Sequence, residues 1–388
     1  MNKINKFLDT NFEKLVSYRR YLHQNPEVGY NEKNTSFYLK NLIKDFGLPI
    51  IQNHEMKFGF YTELGPDSKK ILAIRSDIDA LPIQDTKNCN YSSKVKNTMH
   101  ACGHDAHMTI LLGLISYLKE NENILNGRLR FLFQPAEECS PGGALCMIEG
   151  GAIDNVTNII GYHLYPKLNA GKIAIKDNYI SATVSVIDIE LTCGGGHTSR
   201  PEESVDIVLT ASKLICKLQE DIKHLISDSS PIVLVFGSIN GGNAFNVIPS
   251  SISLKGTLRY TDAKLSDKII DIVNKAIKTI STESGAEIHF KIPYTSPGIF
   301  NDFNLTELIN LSSNEIIGKQ NVVKLDKASL GGEDFAFYLN HIPGAYFRIG
   351  CFDGIATDLH SNFFDIDESC IKTSIQVLSQ TIKNYNFL

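Results

Sequence analysis

The densest concentration of reactive side chains in this sequence of 388 residues is Met99-His100-Ala101-Cys102-Gly103-His104-Asp105-Ala106-His107. Three of the chain's eleven histidines, a cysteine and an aspartate fall within eight positions there. A Cys-x-His pair across a glycine, just before a helix, can place a thiolate and an imidazole on one divalent ion. A buried thiol among helix-capping polar groups would use the same residue types. The second cluster is Phe133-Gln134-Pro135-Ala136-Glu137-Glu138-Cys139, where an apolar strand meets a proline that ends its ladder, followed by two carboxylates. Adjacent glutamates cannot share one face of a strand. One could therefore hold a metal while its neighbour takes a proton from an activated water. His163, in Gly161-Tyr162-His163-Leu164-Tyr165, and His360, in Thr357-Asp358-Leu359-His360-Ser361-Asn362, would each be unremarkable alone.

Position changes that reading. Short apolar runs predict strands over Ile71–Ile74, Leu129–Phe133, Ile159–His163 and Ala345–Ile349. Amphipathic patterns predict helices over Phe7–Gln24 and Asn34–Phe46, and another over Asp105–Lys119 that Asp105 could cap. Alternating strands and helices indicate an α/β domain with a mixed, mostly parallel sheet flanked by helices. Every candidate above falls at or beyond the C-terminal end of a strand or at a helix start, the edge where open α/β sheets build their sites. Four segments delivering such ligands to one edge suit a site that holds two metal ions, which polarise a carbonyl and acidify water. Residues 181–293 follow a different order: strand Thr183–Leu191, helix Glu203–Ile226, strands Ile232–Ile239 and Ser251–Tyr260, helix Leu265–Thr282 and strand Ala286–Ile292. That β-α-β-β-α-β order predicts a ferredoxin-like α+β domain inserted between catalytic segments 1–180 and 294–388.

Arg75-Ser76-Asp77-Ile78-Asp79-Ala80-Leu81-Pro82, the Met99–His107 run, Gln134–Glu138, Gly195-Gly196-His197 and Gly332-Glu333-Asp334-Phe335 occur in that order. Together they resemble the M20-type metallopeptidases, in the subfamily of amidohydrolases that cleave N-acyl amino acids, such as hippurate hydrolases, auxin-conjugate hydrolases and N-acetyl-diaminopimelate deacetylases. The resemblance spans nearly the whole chain and implies a zinc-exopeptidase-like fold. It implies Cys102, His104, Glu138, His163 and His360 as ligands of two divalent ions, with Cys102 as the bridge. Zinc or manganese would be the metal, with cobalt or nickel also accommodated by such donors. Glu137 would be the general base. Asp77 and Asp79 would orient the ligands by hydrogen bonds. His197 would stabilise the oxyanion, and Asn246 and Arg259 would hold the substrate carboxylate. The inserted domain would pair two copies into a homodimer. The sequence departs from the pattern at Thr198–Glu202, which lacks a histidine after Pro201, at Cys139, where glycine is common, and at Gly332, where serine or threonine is usual.

The formal charge of −5, with no basic block, gives no electrostatic basis for binding nucleic acid. The longest apolar stretch, around Ile110–Leu118, is about half of what a membrane span needs. The N-terminal residues lack the pattern of a signal peptide, and the eight cysteines read as reduced thiols, so a cytoplasmic location is expected. No GxSxG or P-loop occurs, which leaves an elbow serine and a phosphate cradle without support. Three other readings use the same residues: a dipeptidase or aminoacylase of broader range, a Cys102 nucleophile paired with His104, and a metal carrier without catalysis.

Overall fold

A computed structural model describes residues 2–227, 231–355 and 358–387; Thr357 lies outside them. Contacts divide the chain into two compact units. The first comprises the chain up to Ile180, Phe300–Asp326 and the residues from Asp334 onward. The second comprises Ser181–Ile299 and a short return, Lys327–Glu333.

The first unit is built on a seven-stranded sheet ordered Phe60–Leu64, Arg128–Gln134, Ile71–Asp77, Asn158–Asn169, Gly344–Phe352, Ile173–Ile175, Val322–Lys324. The pairings of Ile71–Asp77 with both neighbours, of Asn158–Asn169 with Gly344–Phe352, and of Ile173–Ile175 with Val322–Lys324 are parallel. The remaining two are antiparallel, so the sheet is mixed and mostly parallel. Ile71–Asp77 is buried along its whole length, as a strand covered on both faces must be. Helix His104–Glu120 is apolar around nearly all its circumference and is buried accordingly. Helices Asn2–Gln24 and Ser369–Asn384 pack against it.

Two local expectations are corrected. The strand predicted to end at His163 runs on to Asn169, so His163 lies mid-strand. It still reaches the functional edge, because Ile160 pairs with Ile74, which sets His163 level with Asp77 at the end of the neighbouring strand. Asp105 does not cap its helix. Gly103 stands at the cap in the left-handed region (φ 83°), and Asp105 lies within the first turn, where it meets Arg19 and His23.

The second unit is a four-stranded antiparallel sheet ordered Glu287–Ser296, Thr183–Thr192, Ser251–Tyr260, Ile232–Asn240. In chain order that is fourth, first, third, second, the ferredoxin-like arrangement. Alternate residues of Thr183–Thr192 are buried, and Leu214 and Leu218 of one helix and Ile269 and Val273 of the other share their core. The first helix begins at Ile207 rather than Glu203, because Asp206 caps it through the Leu209 N–H (3.0 Å) while Pro201–Glu203 forms a separate turn.

Candidate active site

Three turns at the sheet edge position the donors. Between Cys102 and His104, Gly103 takes a positive φ that a side chain would resist, and a Cβ there would lie 2.5 Å from Leu164 Cδ1. After strand Arg128–Gln134, Ala136 is left-handed (φ 51°) immediately before Glu137. His360 is itself left-handed (φ 64°), and its N–H donates to the Ala101 carbonyl (2.8 Å), tying its loop to the Cys102 segment.

Cys102 belongs to two donor groups, one with His104 and His163 and the other with Glu138 and His360; within each group the ligand atoms lie within 4.8 Å of one another. Cys102 Sγ is 3.3 Å from His163 Nε2, and Glu138 Oε1 is 3.1 Å from His360 Nε2. Hydrogen bonds select the free lone pairs. Nδ1 of His104 donates to the Asp79 carbonyl (2.9 Å), and Nδ1 of His163 donates to the Leu164 carbonyl (2.7 Å), so both Nε2 atoms face the cluster. His104 Nε2 is buried with no hydrogen-bond partner. A soft thiol shared by two groups, aimed imidazoles and an orphaned ring nitrogen fit a site for divalent cations. The donor set does not select a metal.

The electrostatics agree. Burial alone would push the His104 imidazole down, but Asp77 and Asp79 override it and raise it to about 10. His163 is pushed well below the usual range by burial and stays neutral. Burial would raise the Glu138 carboxyl, but His360 and His104 outweigh it and lower it. Burial, followed by the charges of Glu138 and Glu137, holds the Cys102 thiol well above its ordinary value, so only a bound cation would strip its proton. The cluster is a pocket of excess negative charge.

The other residues of the Met99–His107 run fall outside these two groups. His107 donates from Nδ1 to Asp77 (2.7 Å) and accepts the Leu164 N–H at Nε2 (3.0 Å), so it has no lone pair to offer. His100 is buried, and burial lowers it to about 3. Asp79 Oδ2 accepts the Glu138 N–H (2.9 Å), and Glu137 Oε2 lies 3.9 Å from His104 Nε2. The remaining candidates belong to the second unit. His197 pairs with Val247 in a two-stranded ribbon, and the Thr198 N–H donates to the Asn246 carbonyl beside it (3.4 Å). His197 and Asn246 are exposed, while Arg259 is half-buried and donates to the Leu330 carbonyl (2.8 Å). Sequence reasoning overlooked the buried pair Arg19 and His23, although their i, i+4 spacing on the face that carries Leu15 and Leu22 was a readable sign.

An α/β sheet with these donors at its edge and a second carboxylate, Glu137, beside them fits a metal-dependent hydrolase. The pattern of peptidase family M20/M25/M40 matches residues 73–384, and the chain belongs to that family, as a hydrolase of its amidohydrolase type. It is 35% identical over 378 residues to an N-acetyl-L-cysteine deacetylase of Bacillus subtilis, covering 97% of this chain and 89% of that protein. It is 32% identical over 372 residues to an IAA-amino acid hydrolase, ILR1-like 4, of Arabidopsis thaliana, covering 93% of this chain and 83% of that one. The crystal structure of the Bacillus subtilis YxeP protein, a dinuclear metal binding peptidase of family M20, superposes with a TM-score of 0.85 at 28% identity, covering 98% of this chain and 100% of that chain. Among the described residues, no helix is long and apolar enough to cross a membrane.

Proposed function

We propose that this chain hydrolyses the amide bond of N-acyl amino acids, N-acetyl amino acids among them, with Cys102, His104, Glu138, His163 and His360 holding two divalent ions. The observation that carries the reading is the sharing of Cys102 between two donor groups, with Glu137 clustered beside His104 and Glu138. The cations, for which we propose zinc or manganese, would supply Lewis acidity toward the amide carbonyl and acidify water. Glu137 accepts the proton as water oxygen attacks the carbonyl carbon, then delivers it to the departing nitrogen as the C–N bond breaks. A carboxylic acid and an amino acid result. Asp79 and Asp77 orient His104. His197 stabilises the oxyanion, and Asn246 and Arg259 hold the substrate carboxylate. The exposed edge strand Ile232–Asn240 is suited to pairing two copies through the second unit.

N-acyl amino acids are favoured over general dipeptides because the relatives above are a deacetylase of an acetylated amino acid and a hydrolase of an acylated one. N-acetyl-diaminopimelate is one substrate of this class. The test is Glu137→Gln, assayed for amine release from N-acetyl and N-benzoyl amino acids and from dipeptides. The variant keeps both metals, by elemental analysis, and loses about 10²–10⁴-fold in kcat. Near-native turnover would remove Glu137 from this role.

A further inference from the structure

The loop that presents Glu137 and Glu138 is held by its backbone, and the holders come from elsewhere in the chain. Glu32 is fully buried and accepts the Ala136 N–H at 2.7 Å, across a sequence separation of 104 residues. The Ala136 carbonyl accepts the N–H groups of Gly143 (3.0 Å) and Cys139 (3.4 Å). Asp79 takes the Glu138 N–H two residues further on. The segments that precede Glu32 and follow Asp79 are themselves joined, because Val28 pairs with Ala80 and the Ala80 N–H donates to the Glu27 carbonyl (2.8 Å). Between the two grips lies Glu137, whose direction follows from the left-handed turn at Ala136 (φ 51°). Alanine resists that conformation, and only glycine adopts it freely.

We propose that Glu32 is a positioning residue for Glu137, holding Ala136 in its left-handed conformation through the N–H it accepts and so aiming the Glu137 carboxylate at the reacting water. The inference rests on the proton-transfer role given to Glu137 above. Glu32 belongs to none of the donor groups among the described residues. Burial pushes its carboxyl up to about 7, a cost that a merely space-filling side chain would not carry. Loss of the acceptor at 32 and removal of alanine's resistance at 136 should act in opposite directions on one coordinate, the φ of residue 136.

The experiment uses the full-length, metal-loaded enzyme and reads kcat and KM separately, with metal content by elemental analysis. Glu32→Ala lowers kcat by about 10–100-fold, with KM moved less than about twofold and both metals retained. Glu32→Gln, whose amide oxygen can accept the same N–H, stays within about threefold of wild type, while the shorter Glu32→Asp falls with Glu32→Ala. Ala136→Gly, which removes the resistance to positive φ, restores most of kcat when added to Glu32→Ala. A Glu32→Ala enzyme with wild-type kcat overturns the proposal. So does a loss of kcat that tracks loss of metal and is not relieved by Ala136→Gly. If Glu32→Ala does not fold, the Glu32→Gln and Glu32→Asp pair decides: equal kcat in the two overturns it. Near-native turnover in Glu137→Gln would instead sink the general-base reading, so the two failures are separable.

Discussion

Arg19 and Arg20 are neighbours that both bind Glu368, yet replacing them should have very different consequences. Arg19 is completely buried. Its Nε lies 2.8 Å from Asp105, Nη2 is 2.8 Å from Asp365, and Nη1 is 3.2 Å from Glu368. Arg20 makes one fork to Glu368 (3.0 and 2.8 Å) and has a side chain 40% exposed. In Arg19→Met, Glu368 keeps Arg20 and Asp365 keeps the Tyr91 hydroxyl (2.7 Å), whereas Asp105, with no exposure, is left to His23 alone. Stranding one charge of a buried pair costs roughly 3–5 kcal/mol. Arg20→Met removes a solvent-screened pair worth about 0–1 kcal/mol. The assay is urea unfolding of the two variants and wild type at pH 7, followed by the change in midpoint at constant slope. A difference of about 2–5 kcal/mol between neighbouring arginines is expected from those two ranges. Equal losses, or a loss under about 1 kcal/mol in Arg19→Met, would refute the claim that the buried Arg19–Asp105 contact fastens the first helix beneath the Cys102–His107 segment.

Acid should find the same network. Burial works against the ionised Asp85, but the His23 bond and the N–H groups of Ser93 and Lys87 prevail and hold it at about 2, with Asp105 and Asp365 also lowered. Folded values below the unfolded one mean stability that is present above about pH 4 and drains away as pH falls toward about 2. Unfolding free energy in steps from pH 5 to pH 3 should therefore decline, less steeply in Asp85→Asn; a parallel decline in both would contradict the assignment. Chelation should abolish amine release and metal add-back should restore it, whereas release that survives chelation but stops on thiol alkylation would move the chemistry to Cys102 as nucleophile.

The sequence disclosed what is local. Apolar runs ending in turn residues placed Glu137, Glu138 and His360 at element ends, because the same few residues decide both the strand and its termination. They misplaced the end of the His163 strand, which depends on a neighbour: Gly344–Phe352 continues alongside it to Phe352, paired with Asn169. Which histidine of the Met99–His107 run offers a lone pair was likewise beyond reach of composition and spacing. His104 and His107 are the same residue type three positions apart. They differ only because one Nδ1 meets the Asp79 carbonyl while the other ring is consumed by Asp77 and the Leu164 N–H.

The left-handed residues show where that limit has a functional meaning. Gly103 announces its conformation by its type. Ala136 and His360 do not, and each is held instead by a hydrogen bond from a distant segment, Glu32 to the Ala136 N–H and Ala101 to the His360 N–H. A glycine at either place would take the same turn with less resistance but would also leave it more freely. A resisted turn fixed from outside confines the side chains around it more narrowly, and those side chains are Glu137, Glu138 and His360. The placement of the reacting carboxylate and of two metal donors therefore depends on backbone contacts made far away in the chain. Substitutions at such remote acceptors should reach kcat before they reach the overall fold.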